Sequence, residues 1–427
     1  MTFPGNANLP IGGFRSANQE IGVPGFNPIQ FAPCEPHDYD CAILFARRYR
    51  MTRAVSHPRW GNSPWAIDFQ PAQASIPAEA DFAVVGGGFS GLSAAAWLRR
   101  LAPDKAVVLF ESTAIGAGSS GHTGGMVLSE TAAGDLPGLG DVLAGFTFIL
   151  KELAVDCDLA LPGVFEIGRS GGLPDSPISW SDSGLVRAVK QVPGGMIDPG
   201  KMVSGLARAA EKSGVQIFEN VSVEKIEFAD PVCLHFSGGR LRARKVLLAT
   251  NAMSLELSDL VQRGQTKFTL AVATEPLGPG QLESLGLASE RPFYTIDFPY
   301  LWGRILRTGG VVFGGGLVHL KDWRELARLD VESGQSAELI ARLESRVRAL
   351  HPVLQNARFA NRWGGPILIA NQWRPVFAPH PRSPHTIVLG GYSGHGVAQS
   401  VYLGRWAAEV LCGNRSLPDW NLAEESA

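Results

Sequence analysis

Residues 81–111 read DFAVVGGGFSGLSAAAWLRRLAPDKAVVLFE, and this stretch decides the fold. Residues 82–85 are an apolar run with two β-branched side chains, which predicts a buried parallel strand. Gly86, Gly88 and Gly91 follow at once as G-x-G-x-x-G. Residues 92–101, rich in Ala and Leu, predict a helix. Residues 106–110 predict a second strand, which ends at Glu111. Gly86 permits the tight turn, Gly88 lets a pyrophosphate approach the backbone, and Gly91 lets the helix pack on the strand. Phosphates would sit on the helix N-terminus, where unpaired N–H groups and the dipole favour anions. Glu111 falls where a carboxylate can accept hydrogen bonds from a ribose. Strand, turn, helix and acid together specify a dinucleotide site. An ordinary Gly-rich βαβ turn leaves Glu111 unexplained.

The chain has 427 residues, too many for one simple core, so two or more domains are expected. Apolar residues make up 45%, enough for a large interior. The formal charge of −2 argues against nucleic-acid binding. Five cysteines, at 34, 41, 157, 233 and 412, form no disulfide framework, which favours a reducing compartment and a cytoplasmic protein. Cys34, His37, Asp38, Asp40 and Cys41 lack a second ligand pair with zinc-type spacing and read as a loop, so no metal is expected. No secretory signal and no apolar stretch long enough to span a membrane is present.

Residues 1–79 read as an extended arm, rich in Pro, Gly, Asn and aromatics, with one helix over 39–53. Phe31, Trp60, Trp65 and Phe69 argue for an arm packed on the body rather than disordered. Residues 112–128 are a Gly/Ser/Thr loop with a single His, His122, suited to wrapping round a ligand. Helical spacing runs over 141–160, 199–212 and 330–351, and a β-meander over 222–250 ends in small polar residues. Residues 265–317 read as strands broken by Pro and Gly. At the C-terminal end, a strand over 386–389, the turn GGYSGHG and a helix over 397–411 repeat the strand–turn–helix pattern.

These segments together resemble the D-amino-acid oxidase superfamily of flavoproteins, and within it the gamma-glutamylputrescine oxidase-like and glycine oxidase-like amine oxidases. The resemblance runs over about residues 62–413. It rests on VVGGGFSGLSAA, GAGSSGHTGG, ELAVDCDL, the segment 194–226, LLATNA, ATEPL, YLWGRILRTGGVVFGGG, RWGGP and GYSGHGV, in that order. It implies an α/β fold: a Rossmann-like FAD-binding domain of the glutathione-reductase type over 80–135, 195–262 and 360–413. A substrate domain on a mixed or antiparallel sheet is inserted over 136–194 and 263–359, and 414–427 is a tail. It implies FAD, held by Gly86, Gly88, Phe89, Ser90, Gly91, Glu111 and Ser112 at the adenosine end. Ser119, Ser120, Gly121, His122, Thr123, Gly124, Val223, Thr250, Asn251, Trp363, Gly394, His395, Gly396 and Val397 complete that set. It implies oxidation of a C–N bond of a small-molecule amine or amino acid to an imine, by hydride transfer to flavin N5. Oxygen or another acceptor takes the electrons. The alternatives are a flavin enzyme of another reaction type, or a flavin-binding subunit whose oligomer or partner carries the activity.

Arg304, in a Y-x-x-x-R context, resembles the arginine that pairs with the substrate carboxylate in D-amino-acid oxidases. The structural alternative is an Arg satisfied by an acid such as Asp297. Tyr300 and Tyr294 line a pocket or fill core. His122 has three readings: a covalent link to flavin, as in dimethylglycine and sarcosine dehydrogenases, a noncovalent contact, or a loop residue that touches no ligand. Gly121, where those dehydrogenases carry Trp, departs from their pattern. His395 polarises flavin or substrate, or merely caps its helix. Trp373 and Arg374 replace the smaller residues usual in the family, which puts the usual pocket shape in question.

Overall fold

The computed structural model describes residues 59–420. The helix expected over 39–53, Phe31, Cys34 and Cys41 lie outside the described residues. Two eight-stranded sheets organise the chain. In the first, the order is Val376–His380, Ser383–Gly390, Gly239–Leu248, Glu79–Val85, Val107–Phe110, Gln216–Phe218. All neighbours in that path are parallel except the edge hairpin 376–390. Val223–Glu227 and Val232–Phe236 join Gly239–Leu248 as the antiparallel meander read from sequence. The strand Glu79–Val85 leads into the helix Phe89–Leu101, longer by three residues at its start than expected. Alternating apolar strands bury one face against this helix, Pro199–Lys212 and Gly396–Leu411. Asp198 caps Pro199–Lys212 by accepting from the Lys201 N–H, with Pro at the first turn.

The second sheet runs Phe359–Ala370, Gly264–Thr274, Val311–His319, Trp302–Ile305, Phe293–Thr295, Val164–Gly168, Leu185–Val192, Ser179–Ser181. Every pair is antiparallel except Phe293–Thr295 with Val164–Gly168. The helix Gly334–Leu350 packs Ile340, Leu343, Val347 and Leu350 against this sheet's Phe268, Leu270 and Phe313.

Two expected boundaries move. The break placed at residue 360 falls inside the strand Phe359–Ala370, which pairs along its length with Gly264–Thr274 and so belongs to the second sheet. The helix Val142–Glu152, expected with the substrate domain, buries Phe146, Ile149 and Leu150 in the core of the first. Helical spacing over 141–160 overran this helix because Ala154, at φ 53°, breaks it. The short helix Pro279–Ser284 was not read from sequence: none of its residues is fully buried, and only Leu282 packs partly against the second sheet's core.

Candidate active site

The parallel strands of the first sheet end in register: Val85 is level with Leu248 and Phe110, Phe110 with Phe218, and Leu248 with Val388. The segments that leave these ends therefore meet at one edge, the usual ligand position of open α/β sheets. They are the turn 86–88, Glu111, residues 249–251 and the turn 390–396. Gly86 sits at φ 114°, and a Cβ there would lie 2.5 Å from the Ala249 carbonyl oxygen. Glu111 accepts from the Gly87 N–H at 2.9 Å and the Thr113 N–H at 3.0 Å, so its carboxylate is held beside the turn. Asn251 bridges the Gly391 N–H (2.9 Å) and the Ser119 hydroxyl (3.2 Å), tying three segments together.

The His122 loop is braced by the part of the arm that is described. Trp65 donates its indole N–H to the Gly121 carbonyl at 2.9 Å, and Trp60 packs edge-on to the His122 ring at 5.2 Å. Trp363 donates to the His122 carbonyl at 3.0 Å. The His122 Nδ1 bonds the Gly118 carbonyl at 2.9 Å, which makes Nδ1 the protonated nitrogen and leaves Nε2 with a lone pair. Aromatic content in residues 59–79 thus fixes the loop, a role composition alone could not assign.

One cavity of about 1130 Å³ joins these parts. It runs from Gly86 and Gly88 past Ser119, His122 and Gly124 to His395, and on to a wall from the second sheet that includes Glu166, Lys267, Tyr294, Trp302 and His319. Of the residues expected from sequence, Phe89, Ser90, Ser112, Ser120, Thr123, Val223, Thr250, Asn251, Gly394, Gly396, Val397, Glu111 and Tyr300 also line it. Tyr300 lies half exposed, its ring tilted against that of the exposed Phe298 with centroids 4.4 Å apart. Trp373 lines the cavity too, whereas Arg374 turns away to bond the Trp420 carbonyl at 3.2 Å.

Four expected residues stand behind the wall. Arg304 is buried, donates its Nε–H to the Gly124 carbonyl at 2.7 Å and lies 5.4 Å over the Trp65 ring. It meets neither the cavity nor Asp297, which instead accepts from the Arg169 N–H at 2.8 Å. The Y-x-x-x-R context led to the expectation of a carboxylate ligand; Arg304 instead lies within the strand Trp302–Ile305 and holds the loop through Gly124. Gly91 packs under the turn, Gly121 serves as the acceptor for Trp65, and Trp363 is fully buried against Trp65. His395 precedes the helix Gly396–Leu411 but makes no side-chain cap bond, so the capping alternative falls. Its Nδ1 is buried and has no protein partner.

Sequence reasoning missed Glu130, Glu166, Lys267 and His319. Their placement depends on strand pairing, Glu166 with Tyr294 and Lys267 with His319, which no local motif announces. One group of possible metal donors, Glu227, Cys233 and His235, lies on the 223–236 hairpin, outside the cavity lining. Glu227 already accepts from Lys225 Nζ at 2.7 Å, so it reads as an ion pair.

Residues 81–410 match the family described as FAD dependent oxidoreductase (DAO). The chain belongs to that family. This oxidoreductase is 26% identical over 379 residues to gamma-glutamylputrescine oxidoreductase of Escherichia coli (strain K12), covering 78% of this chain and 84% of that protein. Its fold is similar to glycine oxidase from Geobacillus kaustophilus, with a TM-score of 0.62, 17% identity, and coverage of 80% and 96% of the two chains. It is also similar to L-proline dehydrogenase from P. horikoshii, with a TM-score of 0.63, 15% identity, and coverage of 80% and 95%.

The residues present fit FAD. The helix Phe89–Leu101 opens at Gly88 without a cap from that residue or an acid in its first turn; the Ser120 hydroxyl accepts from the Phe89 N–H at 3.0 Å, and the helix dipole there favours a phosphate. His395, whose buried Nδ1 has no partner, lines a cavity larger than the roughly 300–1,000 Å³ of an ordinary small-molecule pocket. That is room for a dinucleotide and a substrate together.

Burial lowers the pKa of His122, opposed by the Gly118 carbonyl, and burial also lowers that of His395. Both rings are therefore neutral at neutral pH. The unfolded chain takes up protons near pH 6.5 that the native rings refuse, so stability is full above that value. It is expected to be lost as pH falls from about 6.5 to the lowered native values. Denaturant midpoints from pH 8 down to pH 5 should show the fall, and His122→Gln with His395→Gln should flatten it.

Proposed function

We propose that this oxidoreductase oxidises the C–N bond of a small-molecule amine to an imine, which water then hydrolyses to a carbonyl compound. The single observation that carries this reading is the continuous cavity, with the Gly-rich turn at one end and the carboxylate wall of Glu130 and Glu166 at the other. The first sheet would form the cofactor domain and the second the substrate domain. Gly86, Gly88, Phe89, Ser90, Glu111 and Ser112 would hold the adenosine diphosphate half of FAD. Ser119, Ser120, His122, Thr123 and Gly124 would flank its ring system from one side, and Gly394, His395, Gly396 and Val397 from the other. Bound FAD supplies the two-electron acceptor whose N5 takes the hydride. The N-terminus of Gly396–Leu411 favours negative charge near the ring. His395, held neutral by burial, offers a hydrogen bond there without adding a charge. Oxygen or another acceptor would then take the electrons.

The similarity to gamma-glutamylputrescine oxidoreductase supports an amine. The second sheet supports it too: no arginine lines the cavity among the described residues, so an α-carboxylate finds no two-pronged partner there. Free thiols at Cys157, Cys233 and Cys412 support a reducing, cytoplasmic setting. Among the described residues no helix is long and apolar enough to cross a membrane.

Anaerobic mixing tests the reading. Amines should bleach the flavin, and NADH or NADPH should not. Bleaching by a nicotinamide and by no amine would point to another reaction type. His122 would touch FAD without a covalent bond, its ring fixed by Trp60 and Gly118. Acid precipitation should leave all flavin in the supernatant; flavin in the pellet would assign His122 Nε2 a covalent link.

A further inference from the structure

Five large apolar side chains stand at the solvent edge of the cavity. Ile296, Phe298, Tyr300, Leu317 and Trp373 all line it, and each is at least 39% exposed. Apolar surface gathered at one opening, rather than scattered singly, marks a place that a ligand covers. Three of the five lie within residues 296–300, and Phe298 reaches 75% exposure.

This segment is held in an unusual way. Its base is pinned where the Thr295 N–H donates to the Leu301 carbonyl at 2.8 Å and the Ile296 N–H to the Ile167 carbonyl at 2.9 Å. Beyond Ile296, no backbone–backbone hydrogen bond holds 297–300 among the described residues. Side chains hold it instead. Arg346, on the helix Gly334–Leu350, donates to the Pro299 carbonyl at 2.7 Å and the Tyr300 carbonyl at 3.0 Å. Arg169, just past the strand Val164–Gly168, donates its side chain to the Phe298 carbonyl at 3.3 Å and its main-chain N–H to the Asp297 carboxylate at 2.8 Å. Asp182, itself buried, joins the two arginines. It accepts from Arg346 Nε at 2.9 Å, from Arg346 Nη2 at 2.6 Å and from Arg169 Nη2 at 3.4 Å. Two guanidinium groups thus balance two carboxylates, Asp182 and Asp297. A planar fork can take a carboxylate on one edge and main-chain carbonyls on the other; a lysine ammonium cannot. None of Arg169, Asp182 and Arg346 lines the cavity, so whatever they do for a ligand passes through 296–300.

We propose that Asp182, Arg169 and Arg346 are positioning residues that hold 296–300 as a fixed apolar rim, and that this rim favours amines bearing an apolar substituent. The proposal rests on the amine reading above and adds a selectivity at the entrance. Held in place, Phe298 and Tyr300 offer rings that an apolar group covers without first ordering the segment. Released, the segment must be ordered at each binding event, and apolar amines lose that advantage. An amine with a polar substituent gains nothing from the rim and loses nothing with it.

Two measurements on the holoenzyme test this. Chymotrypsin cuts after tyrosine, so cleavage at the Tyr300–Leu301 bond, identified by fragment mass, reads the segment whatever the substrate. Arg346→Met should be cut there about tenfold faster than wild type. Anaerobic flavin bleaching reads the selectivity with benzylamine against ethanolamine, each as substrate or as competitor of an amine that bleaches. Arg346→Met should raise the half-saturating concentration about fivefold for benzylamine, and leave that for ethanolamine and the limiting rate of bleaching unchanged. Phe298→Ala should show the same loss, and the double variant should be no worse than Phe298→Ala alone, because both act through the rim. Melting temperature and flavin content are read in parallel. Where Arg346→Met does not fold, Arg346→Lys, which keeps the charge but not the fork, is read in the same way. Unchanged cleavage at Tyr300, equal rises for the two amines, or additive losses in the double variant overturn the proposal and leave amine oxidation intact. Failure of every amine to bleach the flavin sinks the amine reading instead, and the rim's selectivity with it.

Discussion

Gly91→Val is expected to yield a nearly colourless protein. A Cβ at this position would lie 1.9 Å from the Gly86 carbonyl oxygen and 3.2 Å from Val84 Cγ1. The oxygen cannot retreat, because the Gly86 N–H is bonded to the Phe110 carbonyl at 2.8 Å and Ala249 closes the opposite side. The helix Phe89–Leu101 must therefore lift off its strand and carry its N-terminus away from the phosphates. Overpacking of this kind costs about 1–3 kcal/mol or more, roughly a five- to 150-fold loss in FAD affinity if it falls on the bound state. Gly88→Ala makes a useful contrast. Its Cβ meets only the Ser120 side chain, whose hydroxyl at 2.9 Å also holds the Phe89 N–H, so the fold survives and the loss falls on the turn and on FAD. Flavin absorbance per protein and circular dichroism read both variants. Wild-type flavin content in Gly91→Val would show that the turn does not hold the cofactor.

Arg304→Ala is expected to destabilise the protein without selecting among substrates. Arg304 is 7% exposed, and burial lowers its pKa to about 10, against the opposing pull of the Asp198 and Asp158 carboxylates. It therefore remains charged at neutral pH. Removing it leaves the Gly124 carbonyl unsatisfied, at about 1–3 kcal/mol, and opens a void beside Trp65. Gly124 is in the loop that lines the cavity, so FAD should also bind less tightly. Arg304→Met fills the void but not the hydrogen bond and should recover only part of the loss. The melting temperature should drop for both. KM should rise by the same factor for amines with and without a carboxylate. Unchanged stability with a loss confined to carboxylate-bearing substrates would restore Arg304 as a substrate ligand.

These two residues mark where the sequence was legible. Around Gly91 the information is local: strand, turn, helix and Glu111 lie within one βαβ unit, and the structure keeps that order. Glycine spacing reports backbone sterics, which do not depend on distant chain. Arg304 depends on what faces its strand, and that is the Gly124 loop and Trp65, far away in sequence. The carboxylate corner was hidden for the same reason. Glu130 ends a loop, Glu166 lies mid-strand, and only the pairing of Phe293–Thr295 with Val164–Gly168 places Tyr294 between them. The helix at 142–152 was read from its spacing, with its end overrun to 160, but it was expected with the second sheet and packs in the core of the first, because an apolar face does not say which core it joins.

The central claim is that a C–N bond is oxidised in this cavity. It is tested most directly by a single anaerobic turnover of the holoenzyme with a primary amine, measuring bleached flavin, carbonyl product and released ammonia together. The account predicts one carbonyl and one ammonia for each flavin reduced. Bleached flavin without ammonia, or no bleaching by any amine while a nicotinamide reduces it, would contradict the account.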